Sequence, residues 1–182
     1  GKSYSQPLTV KIDPRVKTAP AGLAQQFRQS QQLYSRLLSL APAVEQAGDL
    51  RKQIKELQKS AQGNVLAAVN ALDKKLDDVA GSAAPRRPGA GTQPPNLGLM
   101  RTRYLALLGM LQEADVAPTT QAAAAVDELA KQLTPLMQSW QQIKSKDLPA
   151  LNQQLKNANL PELKLQSVAM PARVTVSSKD ED

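Results

Sequence analysis

The spacing of apolar residues constrains the fold of this chain more than any other feature of its sequence. From residue 21 to residue 158 these residues recur at steps of three and four, as in Ala122, Val126 and Leu129. Because a helix turns once every ~3.6 residues, this spacing places apolar side chains along one stripe of the helix. The sequence therefore predicts helices that bury their apolar stripes in a shared core.

Turn and cap residues divide this pattern into four predicted helices. Gly63 and Asn64 form a turn after a first helix over 21–61, and Gly81 is a natural stop for the second helix. The expected N-caps are side chains that accept hydrogen bonds from the free N–H groups of a first turn: Asn64, Asn96 and either Thr119 or Thr120. The pattern predicts a mainly α fold: an antiparallel up-down four-helix bundle with an N-terminal extended strand and a short irregular C-terminal tail.

Three positions interrupt the helical pattern. Pro42 and Pro135 lie inside the first and fourth predicted helices and are expected to bend them, because proline removes one backbone hydrogen bond. After Ile143 the apolar stripe resumes only at Leu148, a step of five. We interpret this step as a helix restart capped by Asp147.

The N-terminal arm, residues 1–19, has a different period. Its apolar residues alternate with polar ones, which is typical of a half-buried strand, and Pro14 ends the alternation. The alternating residues are Tyr4, Leu8, Val10 and Ile12. Because one strand cannot stand alone, it needs a partner in this chain or upstream, and we expect the chain to be a segment of a longer protein.

These features predict five regions along the chain. Residues 81–96 contain four prolines, three glycines and no large apolar side chain, so we expect a flexible linker there. The regions are an arm at 1–19, a helical hairpin at 20–80, the linker at 81–96, a second helical hairpin at 97–160 and a tail at 161–182, with a short strand expected near 174–176.

Composition argues against an enzyme. The chain has no His and no Cys, which excludes thiolate nucleophiles, disulfides and zinc–thiolate sites and removes the commonest general base. Asp73 and Asp77 share one helix face, but Lys74 and Lys75 lie among them, so a solvated charged face is favoured over half a metal site. We expect no catalysis, no cofactor and no metal; an enzyme would need two carboxylates facing across a cleft.

The net charge of +7, from 23 Lys and Arg against 16 Asp and Glu, invites a nucleic-acid hypothesis. However, much of the excess falls in the arm and the linker, and the aromatic residues are scattered. Nucleic-acid binding is therefore disfavoured. No apolar run approaches the roughly 20 residues of a membrane span, so none is expected.

The residues expected to hold the bundle together, and to contact partners where the stripes are exposed, lie on these apolar stripes. They are Leu37, Val44, Ile54, Leu72, Leu107, Leu129, Leu133, Trp140 and Leu151. Trp140 is interpreted first as a core residue and second as a partner contact. The aromatic residues Phe27, Tyr34 and Tyr104 are also expected in the core.

The arm also resembles a known family. Residues 1–16 (GKSYSQPLTVKIDPRV), with their Asp-Pro-Arg, are similar to a segment near the C-terminus of large bacterial secreted proteins. Those proteins have sortilin-type β-propellers built from BNR (neuraminidase-type) repeats. The similarity continues weakly at 50–54 and is better at 117–121 and 147–152, whereas residues 164–182 match nothing.

The resemblance implies an extracytoplasmic, C-terminal accessory module whose arm is the last strand of a β-sandwich. The implied partners are the upstream propeller and sandwich of the same polypeptide, with a homo-oligomer as a further possibility. We therefore expect a non-catalytic helical-bundle module that acts in packing, spacing or protein association. The alternative is a free-standing basic coiled-coil adaptor that binds an acidic partner or nucleic acid.

Overall fold

The computed structural model describes residue 4 and residues 6–81 and 93–167, and it confirms the mainly α class. The predicted strand near 174–176 and most of the predicted linker lie outside the described residues. The helical elements are α1 (Pro20–Ser60), α2 (Gly63–Ala80), α3 (Leu97–Gln112), α4 (Thr120–Gln142), a π-helical turn (Ile143–Asp147, here called the π turn) and α5 (Leu148–Asn157).

Two of the predicted N-caps are confirmed. The Asn96 side chain accepts a hydrogen bond from the backbone N–H of Leu99 at 2.9 Å, at the start of α3. The Thr119 hydroxyl accepts one from the N–H of Ala122 at 3.1 Å, at the start of α4. Each cap satisfies one of the donors that a first helical turn leaves free.

The other two predicted caps are wrong. Asn64 lies inside α2, because the turn is made one residue earlier, where Gly63 has a φ of +57°. Asp147 has helical φ and ψ values of −69° and −44° and makes no side-chain cap hydrogen bond. The chain does not restart at Asp147, because the helix never stops there.

α1 is long enough to support two shorter helices in series. Its 41 residues extend about 60 Å, at ~1.5 Å per residue. The C-terminal end of α3 lies beside the first turns of α1, where the Gln26 side chain donates to the carbonyls of Leu111 and Ala114. α2 packs against the second half of α1. The ion pair between Arg51 of α1 and Asp77 of α2, at 2.9 Å, joins the two helices.

α2 and α3 meet end to end. A Cβ added to Gly81, at the end of α2, would lie 2.7 Å from the Asn96 side chain, and one added to Gly98 would approach the carbonyl of Ala80. The two helices therefore run in the same direction along α1. The predicted up-down order of four helices is not confirmed, because each level of the described bundle contains α1, one of these two short helices, and α4 or α5.

α4, the π turn and α5 form the second long element. The N–H of Leu148 donates to the carbonyl of Ile143, five residues earlier, so the helical backbone continues through the turn. α5 then packs on α2, and Lys75 forms an ion pair with Asp147 at 2.6 Å. Helical structure also continues through Pro42 in α1 and Pro135 in α4, so neither proline breaks its helix.

The segments outside the helices behave differently at the two ends. Residues 6–19 form no strand, and the Thr18 hydroxyl donates a hydrogen bond of 2.6 Å to the carbonyl of Asp115, which fixes the end of this arm.

At the C-terminal end, side-chain amides of the helices bind the backbone of the tail. Gln53 both donates to and accepts from the backbone of Lys164 at 2.8 Å, and Asn152 does the same with Leu163 at 2.9 Å. These bonds seat the Leu163 side chain, which is buried.

Candidate functional site

The residues expected to hold the bundle together all contact its core. Leu37 and Val44 are half-buried and pack against it. The others are buried: Ile54, Leu72, Leu107, Leu129, Leu133, Trp140 and Leu151. They are spread over the length of the bundle, so they form its interior and not a local site.

Trp140 is buried and sits just before the π turn. The ammonium of Lys144 lies 5.9 Å from the centre of its ring, a cation–π distance. Trp140 is therefore a core residue, and its ring contacts the charged side chain of Lys144.

Two acidic residues of α2, Asp73 and Asp77, are paired with side chains of α1. Asp77 accepts from Arg51, and Asp73 accepts from the Gln58 side chain at 3.1 Å. Within the described ranges, no group of three or more His, Cys, Asp or Glu side chains is close enough to hold a metal ion.

Two aromatic residues expected in the core are on the surface, so that prediction is wrong for them. Phe27 is 66% exposed and Tyr34 is 53% exposed, both on α1. They lie seven residues apart and therefore share one helix face. Among the described helices, α3 and α4 are the partners of α1 in this half, and they leave that face uncovered. Leu105 on α3 and Val116 after it are exposed as well.

The N-terminal arm is exposed along its apolar side. The alternating residues of the predicted strand are between 65% and 87% exposed: Tyr4, Leu8, Val10 and Ile12. The backbone of 6–12 makes no hydrogen bond to any described part of the chain. The arm therefore presents apolar side chains together with N–H and C=O groups that have no backbone partner among the described residues.

One concave feature of the described chain lies between α1 and α4, and we call it the Tyr104 groove. It has a volume of about 480 Å³, and Tyr104 from α3 lines it between the two helices. α1 contributes Gln31, Gln32, Leu33, Ser35, Arg36 and Ser39, and α4 contributes Val126, Asp127 and Ala130.

Tyr104 is the unusual member of this groove. The residue is 1% exposed, and its hydroxyl has no hydrogen-bond partner in the described protein. Burial raises the pKa of the phenol above its ordinary value, and the positive charge of Arg36 opposes that rise without cancelling it. A buried hydroxyl without a partner costs free energy, so a water or ligand atom at this position would be favoured.

Sequence reasoning treated Tyr104 as a core side chain only, and it is buried. It missed the groove, which depends on α1, α3 and α4 meeting at one level. The spacing of Arg36, Tyr104 and Asp127 in the sequence gives no signal of this meeting, because the three residues lie on three separate helices.

No described helix is both long enough and apolar enough to cross a membrane. Comparison with known proteins adds no likeness: no protein family, curated protein or solved structure matches this chain.

Proposed function

We propose that this chain is a non-catalytic helical-bundle module that acts by packing against a β-rich partner, with its N-terminal arm as the contact segment. The parent would be a secreted β-propeller protein, as the resemblance of residues 1–16 implies. The observation that carries the proposal is the exposure of Tyr4, Leu8, Val10 and Ile12 on an arm whose residues 6–12 make no backbone hydrogen bond to any described residue.

The chemistry of the arm suits the edge of a sheet. Its alternating apolar residues would all point to one face of a strand, while its backbone groups would pair with the edge. Free in water, such a segment exposes both its apolar side chains and its backbone groups. Pairing would bury the side chains and satisfy the backbone together, which favours a strand partner over a helix.

The bundle would hold the base of the arm in a fixed position. Val16 donates its N–H to the carbonyl of Asp13 at 2.9 Å, which closes a turn, and Thr18 then bonds to Asp115. Gly22 lies against Ala117 at the same end of the bundle. The arm thus leaves a packed region, so its strand partner would be held close to the ends of α3 and α4.

The test is amide hydrogen exchange on the protein encoded by the complete reading frame, compared with the isolated chain. The amides of Leu8, Val10 and Ile12 are expected to exchange as open chain in the isolated form and to be slowed at least about 100-fold in the complete protein. The reading frame upstream of Gly1 is expected to encode Trp- and Gly-rich strand repeats.

A matched control is the amide of Leu129, which lies in the buried middle of α4 and should be protected in both forms. Two results would overturn the proposal: an upstream sequence without β-rich repeats, or arm amides that exchange equally fast in both proteins. In the first case, an oligomer that protects the same amides would point to pairing between copies.

A further inference from the structure

The Tyr104 groove brings together an unpartnered buried hydroxyl and two charges of opposite sign. Arg36 on α1 and Asp127 on α4 both line this groove, together with Tyr104 from α3. Within the described residues, neither charge takes part in an ion pair. Two charges that share a groove without meeting leave room for a ligand that bridges them.

We propose that the Tyr104 groove binds a small zwitterion of the amino-acid type. The ligand carboxylate would accept hydrogen bonds from the guanidinium of Arg36 and the hydroxyl of Tyr104. Its ammonium group would donate to the carboxylate of Asp127. This site is independent of the arm and goes beyond the association function proposed above.

The hydrogen-bond donors of the groove, Arg36 and Tyr104, favour a ligand that has a carboxylate. Arg offers a planar fork of N–H groups that matches a carboxylate, and charge-assisted hydrogen bonds of this kind are among the stronger ones in proteins. The Tyr104 phenol can donate its proton to a carboxylate, and burial, which raises its pKa, favours this protonated form. A ligand oxygen at this position would satisfy the hydroxyl that the protein leaves without a partner.

The rest of the lining selects a polar ligand. Gln31, Gln32, Ser35 and Ser39 supply neutral amide and hydroxyl groups, which would pair with a polar side chain of the ligand. The volume of about 480 Å³ falls inside the range of roughly 300 to 1,000 Å³ that is usual for small-molecule sites. A phosphate compound fits less well, because Asp127 would repel its second charge.

The experiment is an NMR titration of the isotope-labelled chain with each standard L-amino acid at neutral pH. At least one amino acid with a polar side chain is expected to cause saturable shifts at the backbone amides of Ser35, Ser39 and Ala130, with a Kd below about 1 mM. The N-acetyl and amide derivatives of that amino acid, which lack one of the two charges, should each bind about tenfold more weakly.

Variants assign the contacts. Arg36→Gln and Asp127→Asn are expected to weaken binding about tenfold or more, and Tyr104→Phe about threefold to tenfold. Arg28→Gln is the matched control, because Arg28 is an exposed arginine of α1 that does not line the groove. It should bind like the unchanged chain. Circular dichroism on each variant establishes that the helices are intact.

Two outcomes would overturn the proposal. One is the absence of saturable shifts at the groove with every amino acid up to about 10 mM. The other is saturable binding that folded Arg36→Gln and Asp127→Asn variants retain in full. Either result would leave the hydroxyl of Tyr104 as a group that is satisfied by water alone.

Discussion

The backbone N–H of Leu148 donates to the carbonyl of Ile143, five residues earlier, and this bond joins α4 to α5 through the π turn. In the sequence, the same two residues are separated by the step of five that interrupts the apolar stripe. A π turn holds one more residue than an α turn, so it returns Leu148 to the core face without breaking the helix. Both residues are buried.

Removal of one residue from the π turn should therefore be tolerated. Deletion of Ser145 shortens the step from Ile143 to Leu148 to four, which an ordinary α-helix accommodates. Because Pro149 would then lie within a regular helix, Pro149→Ala is combined with the deletion to avoid its steric cost. The free energy of unfolding in urea should change by about 1 kcal/mol or less.

Deletion of Gln138, an exposed residue in the body of α4, is the matched control. The helix around Gln138 is a regular α-helix, without the additional residue that a π turn holds. Deletion there therefore rotates the apolar residues on one side of the deletion by about 100° around the helix axis. A loss of more than about 3 kcal/mol is expected from misplaced core side chains. Equal effects of the two deletions would show that the π turn does not set the phase of the stripe.

The step of five also shows how far the sequence can predict this fold. The apolar stripes predicted the helices and most of the core, because burial follows helical periodicity directly. The five-residue step from Ile143 to Leu148 is visible in the sequence. Two structures are compatible with it: a helix break followed by a capped restart, and a continuous helix with a π turn. Only the hydrogen bond between Leu148 and Ile143 separates them. The local spacing of apolar residues does not determine which of these two structures the packed core favours.

Helix order was less predictable for a related reason. Four amphipathic stripes are compatible with a four-helix cross-section and with the observed end-to-end arrangement of α2 and α3. The deciding contact is that of Gly81 with Asn96, two residues at opposite ends of a Pro- and Gly-rich stretch. The exposed positions of Phe27 and Tyr34 follow from this arrangement, since fewer helices surround α1.

Gly81 should tolerate no side chain. Its φ is +90° with ψ +148°, a conformation that is almost confined to glycine, and an added Cβ would lie 2.7 Å from the Asn96 side chain. Gly81→Ala is expected to lower the free energy of unfolding by about 1 to 3 kcal/mol. It should also disturb the N-cap of α3, which circular dichroism would detect as lost helicity.

The control is Gly48→Ala, which is expected to raise the free energy of unfolding where Gly81→Ala lowers it. Gly48 lies within α1, and an added Cβ would meet no atom within 4 Å. Alanine loses less backbone entropy than glycine in a helix, so the substitution should stabilise the chain by about 0.5 to 1 kcal/mol. If Gly81→Ala were equally stabilising, the end-to-end meeting of α2 and α3 would be contradicted.

The amide side chain of Gln53 should control the order of the tail. Gln53→Ala removes both hydrogen bonds to Lys164, and the amide hydrogen of Lys164 should then exchange about tenfold faster or more. Gln154→Ala is the control, because Gln154 is an exposed glutamine of α5, and the side-chain bonds to Lys164 come from Gln53. Unchanged exchange at Lys164 in Gln53→Ala would show that the buried Leu163 side chain and the Asn152 amide hold the tail without Gln53.

Tyr104 should make the chain sensitive to alkaline pH. Burial raises the pKa of its phenol in the folded state, so the folded chain keeps this proton at a pH at which the unfolded chain releases it. The stability that depends on this proton is fully present below about pH 10, the unfolded pKa, and is lost as the pH rises through the folded pKa.

Thermal unfolding between neutral pH and pH 11 measures this effect in Tyr104→Phe and Tyr34→Phe. At neutral pH, Tyr104→Phe should be as stable as the unchanged chain or slightly more so, since it removes a buried hydroxyl that has no partner. Its Tm should then fall less on going to pH 11. Tyr34 is largely exposed, so Tyr34→Phe should keep the alkaline loss. Parallel curves for the two variants would mean that the phenol of Tyr104 reaches water freely in the folded chain.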